Sequence, residues 1–174
     1  MALTLMNLDP LTRIRMLNEF DADFAAGRVY RSNRLSTWGA QDWPAALRAA
    51  IEAGSDSTLE SWLSQPGRLN SQEQRNTKNG TSMAKVPITA PQTMSEGEFN
   101  RYCIRGVCLR ARDEGKVDVI AYRAKQVQNP RAESLAIEGK SFNAEAVLND
   151  LRANVGTATA SGFPGPNSGL SVRL

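Results

Sequence analysis

Residues 95–112 read SEGEFNRYCIRGVCLRAR and form the most strongly patterned stretch of the 174-residue chain. A serine and a glutamate three residues apart open this stretch with the spacing of a capping box, which predicts that a helix begins there. At about 100° per residue, Arg101, Arg105 and Arg112 fall in one narrow stripe, and apolar side chains cover most of the remaining circumference. The pattern predicts a core helix whose arginine stripe is either its solvated face or a surface that meets an acidic neighbour.

The two cysteines of the chain, Cys103 and Cys108, lie five residues apart on this predicted helix. That offset turns one side chain well away from the other, so a disulfide within the helix has poor geometry. Because the chain contains no histidine, the pair does not indicate a metal site either. We expect two reduced cysteines that act as small core residues, with an intermolecular bridge through Cys108 as the alternative.

The composition fits one domain of ordinary size or two small ones. Apolar residues make up 41% of the chain, which is enough for a core. Lys and Arg number 21 against 18 Asp and Glu, and the resulting net charge of +3 is too mild to indicate nucleic-acid binding by itself. No apolar run reaches the roughly 18 residues of a membrane span, and residues 1–7 lack the features of a signal peptide. We therefore expect synthesis in the cytoplasm and no membrane partner.

The N-terminal third, residues 1–67, is predicted to form a small helical unit. Asp9 and Pro10 give an N-cap followed by proline at the first helical position, and Gly27 is placed to end that helix. Further helices are expected from about Asp42 and from about Asp56, and all three tryptophans fall in this unit, where core positions are favoured over a contact surface. The apolar face of the first helix, which we expect to enter the core, consists of Leu11, Ile14, Leu17, Phe20 and Phe24.

Residues 68–94 change character and are predicted to form an extended polar arm. Residues 70–81 are nearly free of bulky apolar side chains, which indicates an exposed loop. Residues 85–91 contain two prolines and are at best an edge strand. A long structureless segment in a small domain is usually functional or a linker, so this arm is a candidate contact region.

Residues 95–156 are predicted to form a helix–strand–helix unit, and residues 157–174 an extended tail. The β-branched run at 117–123 is the best strand in the sequence, and the last helix is expected from about Asn143 to Gly156. The tail is rich in Gly, Pro and Ser, a composition that cannot form a core alone. The resulting fold class is α+β, mostly α-helical.

Enzymatic chemistry is not indicated. Without histidine, a Ser-His-Asp or Cys-His arrangement is impossible. No nucleophile elbow, phosphate-binding loop or dinucleotide fingerprint is present. Carboxylate pairs occur at Asp21 and Asp23 and at Asp113 and Glu114, where solvated charges are the expected role. We predict a non-enzymatic protein with no catalytic, cofactor-binding or metal-binding residues.

Three segments of the C-terminal half carry a family resemblance: GEFNRYCIRGVC at 97–108, YRAK at 122–125 followed by NPR at 129–131, and GPNSGLSVRL at 165–174. They resemble small proteins of tailed phages and prophages. The resemblance implies an accessory virion protein encoded near head genes, either a capsid decoration subunit or a head–tail connector subunit of the neck. It implies no catalytic residue.

On this hypothesis the protein is a virion component, present in many copies, that binds the major capsid protein or neck subunits. Flexible arms can wrap neighbouring subunits, and arginines can pair with their carboxylates. The residues that we expect to contact partners are Arg75, Lys78, Lys85, Arg101, Arg105, Arg112, Phe163, Leu170, Arg173 and Leu174.

The alternative hypothesis is a phage-encoded nucleic-acid-binding regulator. Its basis is the dense basic region that runs from Arg101 to Arg131, with Phe99 and Tyr102 as possible stacking faces. Acidic residues dilute this region, and no known nucleic-acid-binding motif is present. Nucleic acid is therefore the less favoured partner.

Overall fold

The computed structural model of the protein describes residues 2–78, 80–130, 132–156, 162–163 and 165–174. Its helices are α1 (Pro10–Ala25), α2 (Thr37–Ala53), α3 (Asp56–Leu63), α4 (Ala90–Asp113), α5 (Ala132–Ile137) and α6 (Ala144–Ala153). Its strands are β1 (Gln72–Thr77), β2 (Gly80–Lys85), β3 (Asp118–Arg123), β4 (Ser141–Asn143) and β5 (Leu170–Arg173). A short 3₁₀ helix spans Pro166–Ser168. The predicted α+β, mostly helical fold class is confirmed.

Helix α4 is the centre of the molecule, and α1, α3, α6 and β5 all pack against it. Nearly every residue from Met94 to Leu109 is buried, so the helix has no broad solvent face. Gly106 allows α1 to approach closely, because a Cβ there would lie 2.7 Å from Met16 Cγ and 3.0 Å from the carbonyl oxygen of Thr12. The remaining helices are therefore arranged around a rod that is buried on most sides.

The predicted start of this helix at Ser95 is wrong. Helix α4 begins five residues earlier, with Thr89 as the N-cap residue and Pro91 in the first turn. A proline is tolerated there because backbone amides of the first turn have no hydrogen-bond partner within the helix. Ser95 lies inside the helix, and its Oγ donates to the carbonyl oxygen of Gln92 at 2.9 Å. Pro91 was therefore a better signal for the start of the helix than the capping-box spacing of Ser95 and Glu98. Residues 90–94 belong to the helix and not to the arm.

Helix α1 starts as predicted, because the Asp9 side chain accepts a hydrogen bond from the Thr12 amide at 3.0 Å. Its predicted core face is wrong. Leu11, Ile14 and Phe24 are 54%, 55% and 58% exposed, and only Phe20 of the predicted face is fully buried. The face turned toward α4 consists of Thr12, Met16, Glu19, Phe20 and Asp23.

The second helix begins earlier than predicted, since Ser36 caps α2 through the amide of Gly39 at 2.9 Å, and Pro44 lies within the helix. Trp43 is buried, and its Nε1 donates to the carbonyl oxygen of Tyr30 at 2.9 Å. Trp38 is 72% exposed, so the tryptophans do not all form a core.

The predicted polar loop is a β-hairpin, which is a correction. Strands β1 and β2 pair antiparallel from Gln72 with Lys85 to Thr77 with Gly80, so residues 78–79 connect them. The sequence contains Asn-Gly at 79–80, a common hairpin signal, but the strands lack the apolar alternation that normally accompanies it. Asn79 itself lies outside the described residues.

The C-terminal sheet has the strand order β4-β3-β5, with both pairs antiparallel. Strand β3 was predicted, and so was α6, which Asn143 caps through the amide of Ala146 at 2.9 Å. Strand β4 and helix α5 were not predicted. The predicted extended tail is wrong for residues 170–173, which form the buried strand β5 beside β3. Residues 157–161 and 164 lie outside the described part of the chain.

The N-terminal helices and the C-terminal elements share one hydrophobic core. Met16 and Phe20 of α1 belong to the same cluster as Leu148 of α6 and Val172 of β5, with α4 between them. The separation into independent units at 1–67 and 95–156 is therefore corrected, because α4 supplies the core of both.

Candidate functional site

The arginine stripe of α4 is buried over most of its length. The Arg105 side chain is 2% exposed and donates to Glu19 Oε2 at 2.8 Å and to Asp23 Oδ2 at 2.5 Å, both on α1. Burial lowers the pKa of the Arg105 guanidinium, but the hydrogen bonds and charges of Asp23 and Glu19 outweigh burial and hold this pKa above its usual range. The acidic neighbour that the stripe predicts is α1 of the same chain.

A second arginine completes this buried ion-pair network. Arg152 of α6 contacts Glu19 through its Nη2 at 2.5 Å and its Nε at 3.0 Å. Burial raises the pKa of Glu19, but Arg152 and Arg105 together hold it below its ordinary value. The network therefore fixes α1, α4 and α6 relative to one another and neutralises its own charge.

Arg101 is also buried. Its Nη1 donates to the carbonyl oxygen of Asn154 at 2.9 Å, and its Nε donates to Glu98 Oε2 at 3.3 Å. Its Nη2 has no hydrogen-bond partner among the described residues. The placement of Arg101 and Arg105 on a partner-binding surface is thus corrected, whereas Arg112 is exposed at the end of α4.

Glu98 lies at the base of a cleft of about 280 Å³ between α2, α4, β1 and the segment before α2. Burial raises the pKa of Glu98 to about 7, although Arg101 opposes this. The other main lining residues are Tyr30, Arg34, Trp43, Glu73 and Asn167. The cleft falls at the lower limit of small-molecule sites, and its hydroxyl groups, on Tyr30, Ser32 and Thr93, lie beside no histidine base.

The hairpin of residues 72–85, called the hairpin arm below, projects from this cleft. Its strands contact each other far more than they contact any other element, and most of its side chains are exposed. Its base is fixed by Arg34, whose Nε donates to Glu73 Oε2 at 2.6 Å, and by the amide of Asn70, which donates to the carbonyl oxygen of Arg34 at 2.8 Å. The hydrogen bond from Arg34 holds the pKa of Glu73 below its ordinary value.

The structure places the three predicted contact residues of the arm at its surface. Arg75 is half-exposed and contacts Glu73 through Nη2 at 2.7 Å. Lys78 is exposed at the tip, and Lys85 is exposed at the base of β2. These side chains lie on one projecting element, away from Arg112.

The predicted contact residues of the tail divide into two groups. Phe163 and Leu170 are buried in the core, so their assignment to a contact surface is corrected. Arg173 is exposed, and Leu174 is half-buried with its amide donating to Asn7 Oδ1 at 3.1 Å. The tail is held in place because Asn100 Nδ2 donates to the carbonyl oxygen of Leu170 at 2.7 Å.

Sequence reasoning missed the exposed apolar side chains on α1, because it placed them in the core. A signal was available. Thr12, Glu19 and Asp23 recur on one face of α1, and two of them are acids that could match an arginine stripe. A helix with an apolar face and an acidic face has two possible inner faces, and the partner helix decides between them.

Both cysteines are reduced and buried. Burial raises the pKa of the Cys103 thiol to about 12 and raises that of Cys108 further, so neither forms a reactive thiolate. A bridge through Cys108 would require the core to open. Among the described residues, no cluster of potential metal ligands is present. None of the described helices combines the length and apolarity needed to cross a bilayer.

No protein-family model, curated protein or solved structure matches this chain.

Proposed function

We propose that this protein is a non-enzymatic structural subunit of a tailed-phage virion. It acts as a capsid decoration or head–tail connector accessory protein, and it binds the major capsid protein or neck subunits through the hairpin arm. The observation that carries this proposal is the hairpin arm itself, a two-stranded ribbon that stands outside a complete core.

The hairpin arm is a sheet of two strands, β1 and β2. An isolated two-stranded hairpin is marginally stable in water, and its outer edges present unpaired backbone groups that can pair with another strand. Most side chains of this arm are polar and uncharged, and Arg75, Lys78 and Lys85 are spread along it. Such an arm can form main-chain hydrogen bonds with a neighbouring subunit, and its charged residues select the neighbour.

The virion assignment is supported by the resemblance of residues 97–108, 122–125, 129–131 and 165–174 to small phage proteins. The alternative role as a nucleic-acid-binding regulator is weakened by the burial of Arg101 and Arg105. Their charges face Glu98, Glu19 and Asp23, so they cannot contribute to a phosphate-binding surface in this fold.

An arm-deleted variant tests the proposal. Because the amide of Val86 donates to the carbonyl oxygen of Ser71 at 3.0 Å, an Asn-Gly turn can replace residues 72–85 and close the ribbon at its base. We expect this variant to keep its helical circular dichroism and to lose incorporation into particles in a phage-complementation assay. The matched control is Glu133→Ala, which alters an exposed residue outside the arm and outside the predicted contact residues. Normal incorporation of the arm-deleted variant would contradict the proposed role.

A further inference from the structure

Two charged side chains of the cleft keep atoms free for a ligand. Arg34 binds Glu73 through Nε at 2.6 Å and through Nη2 at 3.3 Å, and its Nη1 makes no hydrogen bond to any described residue. Glu98 is only 6% exposed, and its Oε2 accepts a hydrogen bond from Arg101. Within the described part of the chain, Glu98 Oε1 makes no hydrogen bond. The cleft therefore contains a guanidinium edge and a buried carboxyl oxygen that are both open to a ligand.

The charge of the cleft favours an anion over a cation. Glu73 is bound by both Arg34 and Arg75, at 2.6 Å and 2.7 Å. Glu98 is bound by Arg101, and the buried ion-pair network behind it neutralises its own charge. Three guanidinium groups therefore surround two carboxyl groups. The excess of at least one positive charge is neutralised by a singly charged anion and increased by a cation.

The hydrogen-bonding groups and the size of the cleft suit a carboxylate. Arginine N–H groups form charge-assisted hydrogen bonds to carboxylate oxygens. Burial raises the pKa of Glu98 to about 7, so below this pH the side chain holds a proton and can donate it to an anion. At about 280 Å³ the cleft is smaller than most sites for drug-sized ligands, which limits the ligand to one functional group on a short chain. Further donors line the cleft on Tyr30, Ser32, Asn33 and Asn167.

We infer that this cleft binds a carboxylate group, with Arg34 as the anion-binding residue and Glu98 as a hydrogen-bond donor. The carboxylate belongs either to a short free acid or to an acidic residue of a neighbouring subunit, and both sources use the same contacts. Acetate is the simplest probe of these contacts. Its binding by the full-length isolated chain is measured independently of the virion role.

The indole N–H signals of the three tryptophans report this binding. Trp43 lines the cleft and donates its indole N–H to the carbonyl oxygen of Tyr30, whereas Trp38 and Trp62 are not lining residues. In ¹⁵N–¹H spectra at constant ionic strength, acetate should shift the Trp43 signal saturably, with a dissociation constant of about 1–10 mM. The signals that Trp38→Phe and Trp62→Phe assign should not move.

Acetamide and methylammonium test the charge of the ligand. Acetamide has the shape of acetate without its charge, and methylammonium has the opposite charge. We expect neither to produce the saturable shift of the Trp43 signal. A wild-type chain that gives no saturable shift with acetate, or an equal shift with either of the other two probes, would overturn the inference.

Thr93→Leu tests the location of the site, because Thr93 lines the cleft and takes no part in its ion pairs. The matched control is Ser61→Leu on the exposed surface of α3, since both hydroxyl groups donate to the carbonyl oxygen four residues earlier at 3.0 Å. We expect Thr93→Leu to weaken acetate binding at least about tenfold and Ser61→Leu to leave it unchanged. Equal affinities of the two variants would contradict binding in the cleft.

The role of Glu98 gives acetate binding a pH dependence. An ionised Glu98 repels a carboxylate, so acetate should bind about tenfold more weakly at pH 8 than at pH 6. Glu98→Gln cannot ionise and should bind acetate equally at both pH values, and an equal fall in this variant would contradict the role of Glu98. The variant keeps all the other ionisable groups that face Glu98 or share its cleft, which are Asp23, Tyr30, Arg34, Glu73, Arg101, Tyr102 and Arg105.

Particle incorporation of Thr93→Leu distinguishes the two sources of the carboxylate. If this variant loses acetate binding and still enters particles, the ligand is a free acid. If it loses both, the acid belongs to a neighbouring subunit. A wild-type chain that binds acetate and never enters particles contradicts only the virion role, and one that enters particles without binding acetate contradicts only the carboxylate site.

Discussion

The Nη1 atom of Arg105 lies 2.5 Å from Oδ2 of Asp23, and both side chains are almost completely buried between α4 and α1. Tyr102 adds a hydrogen bond to the same carboxylate oxygen at 3.2 Å. This pair explains why α1 turns a polar face inward and leaves Leu11 and Ile14 exposed. Once Arg105 is in the core, α1 must bring carboxylates to it, and the apolar face of the helix is directed outward.

Removing this arginine should strongly destabilise the fold. Arg105→Met leaves Asp23 and Glu19 buried with fewer compensating charges, so we expect the free energy of unfolding to fall by about 3–5 kcal/mol. Urea denaturation followed by circular dichroism measures this. Arg112→Met is the matched control, because Arg112 is exposed, and its effect should stay within about 0.5 kcal/mol. Similar midpoints for the two variants would contradict the structural role of Arg105.

The stability of the protein should depend on the protonation of Glu98. Its folded pKa of about 7 lies above the ordinary value of 4.5, so the folded state holds a proton that the unfolded state has released between these two pH values. The free energy of unfolding should therefore fall as pH rises from 4.5 to about 7 and then level off. Glu98→Gln cannot titrate, and its stability should lack this decrease when both chains are compared by urea denaturation across the range.

The same comparison separates Glu98 from the other shifted carboxyl groups. Their pKa values are lowered, so the stability that they contribute is present above their ordinary values and is lost only as pH falls below them. These groups are Asp9, Glu19, Glu73 and Glu114. If wild-type and Glu98→Gln show parallel pH profiles from pH 5 to about 7, the carboxyl that titrates there is not Glu98.

Truncation of the C-terminus should remove part of the core. Leu170 is fully buried beside β3, so Leu170→Ala should cost about 2–5 kcal/mol of the free energy of unfolding. Deletion of residues 163–174 should abolish the cooperative thermal transition, in contrast to the effect of deleting an unstructured tail. Arg173→Ala, on the exposed side of the same strand, is the control and should leave the transition almost unchanged. Retained cooperativity in the deletion variant would show that β5 is dispensable.

The two cysteines should be unreactive in the native protein. Both thiols are buried and have raised pKa values, so a chromogenic thiol reagent should label neither at neutral pH and both after denaturation in guanidinium. Single Cys103→Ala and Cys108→Ala variants assign any signal to one residue. If the native wild-type protein is labelled rapidly and the Cys108→Ala variant is not, Cys108 is accessible, and the intermolecular bridge considered from the sequence becomes feasible again.

Local signals in the sequence determined several parts of this protein. Asp9 followed by Pro10 fixed the start of α1, and the β-branched residues from Asp118 to Arg123 marked β3. The mostly helical class and the exclusion of histidine-based chemistry also followed from residue types and short spacings. These features depend on interactions within a few residues, which a sequence pattern records directly.

The tertiary structure decided which faces are buried. The polar face of α1 is buried and its apolar face is exposed, because Glu19 and Asp23 on the polar face bind Arg105, more than 80 residues away in the chain. Residues 170–173 of the tail form strand β5 because they pair with β3. The arm forms a hairpin because its own two halves, β1 and β2, pair with each other. The arginine stripe, visible in the sequence, became an internal ion-pair network for the same reason. A charged side chain can be buried only where an oppositely charged partner is also buried beside it, and the tertiary fold determines whether such a partner is present.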